Sequence, residues 1–144
     1  MLTEKAQDEL RRLSVEIRIL EETAQALQSR MNVTNAVIQD LTYADSTLTG
    51  LEEKSEGSEL LIPIGGNSYI RAALQNPDKV IVGMGAGVSM EKTSEEAKMI
   101  IKKRLENLEK AKTSIQQRFT SVAQKINEDQ IKLNEMISKF REPS

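Results

Sequence analysis

Apolar residues recur along residues 1–49 with alternating spacings of four and three, and the same pattern returns after residue 100. The first seam runs from Ala6 through Leu13 and Leu27 to Leu48, and the second runs from Ile101 to Phe140. Spacing of this kind over several heptads is typical of a coiled coil. Residues 1–49 and 93–142 also contain no Gly and no Pro. The pattern therefore predicts two long helices that fold back on each other as an antiparallel coiled-coil hairpin.

The start of the second helix has a local signal as well. Thr93 and Glu96 are spaced as in a capping box, in which each side chain accepts a hydrogen bond from the other residue's backbone. Aligning the two helix ends predicts that Leu13 lies opposite Leu133 and that Leu27 lies opposite Phe119. Four polar residues interrupt the seams: Thr34, Asp45, Lys112 and Asp129. Asp45 lies about one layer from Lys98, a spacing at which the two could form an ion pair. These interruptions either determine the register or simply reach water, and the sequence leaves both open.

The segment between the helices has a different period. Apolar residues alternate with their neighbours in four short runs, around residues 60–64, 69–74, 80–84 and 88–91, separated by Gly, Asn and Pro clusters. This pattern predicts two β-hairpins. Isolated hairpins are marginal in water and their edges invite pairing, so we expect the insert to associate with strands of other chains. The predicted organisation is a helix over 1–49, an oligomerisation platform over 50–92 and a helix over 93–144, in one mainly α structural unit.

The amino-acid composition excludes most kinds of catalytic and metal-binding chemistry. The 144 residues include no His and no Cys, and 20 Lys and Arg balance 22 Asp and Glu. The usual zinc and haem ligands and the nucleophile–histidine pairs are therefore missing, and nothing in the charge favours nucleic acid. The glycines from Gly83 to Gly87 fit a hairpin turn better than a nucleotide loop, since a strand follows them. We expect no enzyme activity, no cofactor and no metal; the absence of a long apolar run or leader predicts a cytoplasmic protein without a membrane partner.

Some large apolar residues lie off the seams, toward the two chain ends: Leu2, Val15, Ile19, Ile131 and Ile137. A cluster of exposed apolar side chains indicates a partner-binding surface, whereas scattered ones are ordinary. The residues alone do not decide between the two interpretations.

The insert carries a more specific resemblance. The stretches at residues 58–65, 67–72, 78–88 and 91–92 resemble the α-class subunits of prefoldin, those of archaea in particular. The resemblance implies an ATP-independent co-chaperone. In that family two α and four β subunits form a hexamer on an intersubunit double β-barrel, hold unfolded polypeptide at coiled-coil tips and deliver it to a group II chaperonin. The alternative is a structural coiled-coil adaptor that binds one folded partner.

The resemblance also implies roles for two sets of residues. Candidates for the client-binding tip are Leu2, Leu10, Leu13, Val15, Ile19, Ile131, Leu133, Met136, Ile137 and Phe140. Candidates for oligomerisation through the barrel are Leu60, Ile62, Ile64, Ile70, Leu74, Val80, Val82, Met84, Val88 and Met90.

Overall fold

The computed structural model describes residues 3–141. The elements in chain order are helix α1 (Glu4–Leu51), strands β1 (Glu59–Gly65), β2 (Ser68–Ala73), β3 (Lys79–Gly85) and β4 (Val88–Thr93), and helix α2 (Ser94–Arg141). Two helices of 48 residues each therefore flank two antiparallel hairpins, which confirms the predicted mainly α fold. The intersubunit barrel concerns several chains and stays a prediction.

Both helices begin at a threonine cap. The backbone N–H of Ala6 donates to Oγ1 of Thr3 over 3.1 Å at the start of α1. At the start of α2, the N–H of Glu96 donates to Oγ1 of Thr93 (3.1 Å), and the N–H of Thr93 donates to Oε2 of Glu96 (3.4 Å). The reciprocal pair is the predicted capping box, and it satisfies backbone donors that a helix start leaves without partners.

The two hairpins are built in the same way. Each closes with a two-residue turn whose residues both have positive φ: Gly66 and Asn67 (57° and 58°) in the first, and Ala86 and Gly87 (53° and 77°) in the second. Such turns match the right-handed twist of the flanking strands. The register shifts just before each turn, and β1–β2 and β3–β4 remain separate two-stranded sheets.

The chain divides into two compact units. The helical unit consists of the described parts of Met1–Ala36 and Glu109–Ser144, and so contains helix only. Its buried apolar side chains belong to the predicted seams: Leu13, Ile17, Leu27 and Ile115. A groove of about 490 Å³ is lined by Leu27 and Phe119 together, as the predicted register requires.

The hairpin unit is Val37–Leu108. Its core brings both helices and one hairpin together, since Leu48, Ala97 and Ile101 are buried in one cluster with Val82 of β3. Arg104 of α2 donates a 2.8 Å hydrogen bond to the carbonyl oxygen of Gly83 in the same strand. The β3–β4 hairpin is therefore packed against the helices of its own chain.

One predicted ion pair is wrong. Lys98 does not pair with Asp45; its Nζ lies 2.7 Å from Oε1 of Glu52, just past the end of α1. Glu52 is partly exposed, so Lys98 keeps part of its hydration there, which a seam partner would remove. The Oδ1 atom of Asp45 is buried without a hydrogen-bond partner. Thr34, another polar seam residue, donates its hydroxyl to the carbonyl of Arg30 in its own helix.

Candidate functional surfaces

The first candidate surface lies on the helical unit and carries nine of the ten predicted tip residues; Leu2 lies outside the described residues. We call this set the helical apolar surface. Its exposed members are Val15, Ile19, Ile131, Ile137 and Phe140, and its partly buried members are Leu10, Leu133 and Met136. Leu13 is only 2% exposed, so its side chain is closed off in this conformation.

Part of this surface forms a groove of about 700 Å³. Three apolar side chains line it, Leu13, Ile131 and Met136. Charged and polar residues complete the lining: Glu9, Lys132, Asn134, Glu135, Ser138 and Lys139. The groove is thus lined by apolar and charged side chains together, and we call its charged residues the rim. Such a groove can take up an apolar side chain while the polypeptide that carries it stays hydrated. The groove does not include Val15 or Ile19, which are exposed elsewhere on α1.

The charged rim was not part of the sequence prediction, which considered apolar residues alone. Nη2 of Arg12 lies 2.7 Å from Oε1 of Glu9. This hydrogen bond lowers the pKa of Glu9, and the charge of Lys132 acts in the same direction. The Arg12 side chain is largely exposed and the Glu9 side chain is partly exposed, so water screens the pair and it contributes little to stability. Its effect is to keep an ionised carboxylate at the rim of the groove.

A buried carboxylate lies in the same unit. Asp129 is fully buried, and Nζ of Lys125 lies 3.1 Å from its Oδ1 and 3.9 Å from Oε1 of Glu16. Neither oxygen of Asp129 accepts a well-formed hydrogen bond, although the close carboxylate raises the pKa of Lys125. The sequence marked Asp129 as a polar seam residue, but nothing in the pattern showed that water is excluded from it.

The second candidate surface is formed by the hairpins. Six of the ten predicted oligomerisation residues are exposed in the single chain: Ile62, Ile64, Ile70, Met84, Val88 and Met90. Strand pairing brings Ile62 beside Ile70, and Val82 beside Met90, so each pair shares one face of its hairpin. Three further predicted residues are partly buried, namely Leu60, Leu74 and Val80.

Val82 differs from the rest of the set. It is 6% exposed, because it packs into the core of the hairpin unit within its own chain. The structure thus gives Val82 a role in folding, and its part in a subunit interface stays a prediction.

Sequence reasoning also missed apolar residues on the opposite faces of the hairpins. Leu61, Tyr69 and Ile81 are exposed, Ile81 to 77%. Strand alternation was the signal used, and it selects one face of each strand. The run Leu60–Leu61–Ile62 is apolar on both faces, which was the available sign that the second face is unusual as well.

Within residues 3–141, no group of three or more carboxylate, thiol or imidazole side chains is placed to hold a metal ion. None of the described helices is long and apolar enough to cross a bilayer.

Comparison with known families identifies the fold. The family model for the prefoldin subunit matches residues 20–139, which is most of the chain and includes both hairpins. The chain belongs to the prefoldin family. Prefoldin subunit alpha of Methanopyrus kandleri is 35% identical to this prefoldin chain over 116 residues, covering 81% of this chain and 74% of the relative. The α-class resemblance of the insert is therefore confirmed, and with it the co-chaperone function.

Solved prefoldin structures share the fold. A filamentous PFD from Methanocaldococcus jannaschii, solved by cryo-EM, superposes with a TM-score of 0.68 at 24% identity, covering 80% of this chain and 95% of that one. The crystal structure of the prefoldin beta subunit from Thermococcus strain KS-1 gives a TM-score of 0.58 at 13% identity, covering 99% and 98%. At these identities the likeness concerns the fold alone.

Proposed function

We propose that this chain is an α-class prefoldin subunit that captures unfolded polypeptide without ATP and without catalysis. In this proposal the helical apolar surface binds the client, which is then delivered to a group II chaperonin in the cytoplasm. The observation that carries the proposal is the groove lined by exposed Ile131, partly buried Met136 and buried Leu13, with exposed Val15 and Ile19 close to Leu13 in sequence. Exposed apolar side chains on both helices of one unit, together with a groove, indicate a binding surface, whereas scattered ones would be ordinary.

The groove is suited to weak and general binding. It is small enough for a few side chains, and burying one Leu or Ile completely is worth about 1.5–3 kcal/mol. Its lining combines apolar side chains with charges of both signs, so the groove selects for apolar character rather than for one sequence. Several such grooves in one complex would add by effective concentration, so the complex would hold a client that one subunit releases.

Assembly is the task that we assign to residues 50–92. The exposed apolar face around Ile62 and Ile70 of the first hairpin has no cover among the described residues. In the second hairpin Met84 and Met90 stay exposed, although Val82 on the same face is buried against the helices. Pairing with hairpins of other subunits would cover these faces and satisfy the free strand edges. We propose a hexamer of two chains of this kind and four β-class subunits, joined through an intersubunit β-barrel, with the helical apolar surface free for clients.

Client capture can be tested on the assembled complex. A photo-crosslinker is placed at Lys132 on the rim of the groove, and a chemically denatured client is diluted into the complex without nucleotide. We expect light scattering to fall relative to the client alone, and this subunit to become crosslinked. Combining Ile131→Ser with Met136→Ser should reduce the crosslinked fraction about fivefold, which corresponds to about 1 kcal/mol of lost apolar contact.

The matched control is Val33→Ser, which removes an exposed apolar residue of the same unit that lies outside the groove. It should crosslink as the unchanged chain does. Equal loss in the control and the double variant would remove the groove from the mechanism. Crosslinking to one native protein and to no denatured client would instead support an adaptor.

A further inference from the structure

The proposed function makes no use of Asp129, a buried carboxylate at a seam position of the helical unit. It occupies the α2 seam between Ile126 and Leu133, where a coiled coil normally places an apolar residue. In the predicted register it faces Ile17 of α1. Asp129 is 0% exposed, so its carboxylate has lost the water that would hydrate it.

Contacts with other residues replace the lost hydration of the Asp129 carboxylate only in part. Lys125 supplies the single charged contact within 4 Å among the described residues, and the same ammonium also lies 3.9 Å from Glu16. The hydrogen bond from the Arg12 guanidinium to Glu9 is the main cause of the raised pKa of Arg12, and the charge of Asp129 adds only a small part. Both oxygens of Asp129 remain without a proper hydrogen bond. A buried carboxylate with incomplete partners destabilises the state that buries it.

Few apolar side chains are buried on the chain-end side of this layer. On the other side Leu27 and Ile115 are buried, and the seam residues nearer the layer are partly buried: Leu20, Phe119, Val122 and Ile126. Between Asp129 and the end of α2, the α2 seam residues Leu133 and Met136 are only partly buried, and Phe140 is 39% exposed. Leu13 is the one buried apolar side chain among the described residues of α1 that precede this layer. Among the described seam residues beyond Asp129, Leu13 is therefore the one buried apolar side chain, and its exposure is the main apolar cost of separating the helices there.

We propose that Asp129 is a built-in weak layer at which the helix pair opens reversibly. Segments 4–16 and 130–141 separate together, the Asp129 carboxylate regains water, and this gain offsets the exposure of Leu13. Leu13, Leu133 and Met136 then become accessible beside Ile131 and widen the apolar surface. This inference rests on the proposed function, because it says how closed seam residues reach a client.

Opening can be measured separately from client binding. Hydrogen–deuterium exchange of the assembled complex, followed by mass spectrometry, reports the amides of segments 4–16 and 130–141. Asp129→Leu completes the apolar seam, so exchange in both segments should slow by about tenfold or more. Asp129→Asn removes the charge at almost unchanged size and should slow exchange by a smaller factor. It also keeps the proposal testable if Leu does not pack.

The matched control is Asp45→Leu, which makes the same substitution of a seam carboxylate by Leu, but in the hairpin unit. It should leave exchange in segments 4–16 and 130–141 unchanged. Unchanged exchange in both Asp129 variants would overturn the proposal, as would equal slowing by Asp45→Leu.

The client assay then tests the link to capture. Asp129→Leu should reduce client crosslinking at Lys132 several-fold, even though Ile131 stays exposed. Slowed exchange with undiminished crosslinking would overturn the use of the opening for capture. If the unchanged chain crosslinks no client, the proposed function fails, and the exchange comparison still decides whether Asp129 controls opening.

Discussion

Ala86 has a left-handed backbone conformation (φ 53°), which residues other than Gly and Asn rarely adopt. For an alanine this conformation costs about 1–2 kcal/mol. Ala86→Asn would create the Asn–Gly pair that such turns prefer. We expect it to raise the free energy of unfolding by about 0.5–1 kcal/mol, measured from the denaturant midpoint at a fixed chain concentration.

The control for this prediction is the reverse change in the other hairpin. Asn67 has nearly the same φ (58°), so Asn67→Ala should lower the free energy of unfolding by a similar amount. A loss of stability in Ala86→Asn would mean that the turn is held by something other than its own backbone preference.

Interactions between neighbouring residues could be predicted from the sequence, and those between distant residues could not. Thr93 and Glu96 form the predicted box because three residues of chain determine their geometry. Lys98 reaches Glu52, 46 positions away in the sequence. Sequence spacing does not determine which distant carboxylate a long side chain contacts. The register made Asp45 a reasonable partner, but the hydration that Lys98 retains at the helix end favours Glu52.

At the scale of elements, the capping box joins β4 to α2. Thr93→Ala removes the side-chain acceptor for the N–H of Glu96 and should cost about 1 kcal/mol of unfolding free energy. Thr113→Ala is the control, because the Thr113 hydroxyl only donates to the carbonyl of Glu109 within α2. Thermal unfolding followed by circular dichroism should show a lower midpoint for the first variant and no decrease for the second. Equal midpoints would show that the packing of β4 fixes the start of α2 without the cap.

The two hairpins share a sequence pattern but not an environment. Leu60, Ile62 and Ile64 alternate as Val80, Val82 and Met84 do, and the sequence predicted both hairpins equally well. The structure buries Val82 against the helices and leaves Ile62 exposed. Strand periodicity shows which residues share a face, but it does not show which hairpin the helices cover. That choice depends on long-range contacts such as the bond from Arg104 to Gly83.

For the whole molecule, the sequence already indicated that the insert lacks enough chain to cover itself. The structure agrees in detail: two separate two-stranded sheets present apolar residues on both faces. What a single chain does not reveal is which face meets another subunit. Val82 is a poor probe of this question, because an aspartate there would disturb the core of its own unit before assembly is tested.

Ile62 and Leu61 are better probes of which hairpin face meets another subunit. They are adjacent in β1 and point to opposite faces of the hairpin. Both are exposed in the single chain, Ile62 to 44% and Leu61 to 60%. Ile62 shares its face with Ile70, the face that we assign to the barrel. Ile62→Asp would place a carboxylate in an apolar interface, so we expect it to prevent hexamer formation with the β-class subunit, as seen by native mass spectrometry. Leu61→Asp should assemble normally, and both variants should keep the circular dichroism of the unchanged chain. If the Ile62→Asp variant forms the hexamer and the Leu61→Asp variant does not, the barrel lies on the opposite face of the hairpin. If both variants form the hexamer, the subunit interface does not involve β1.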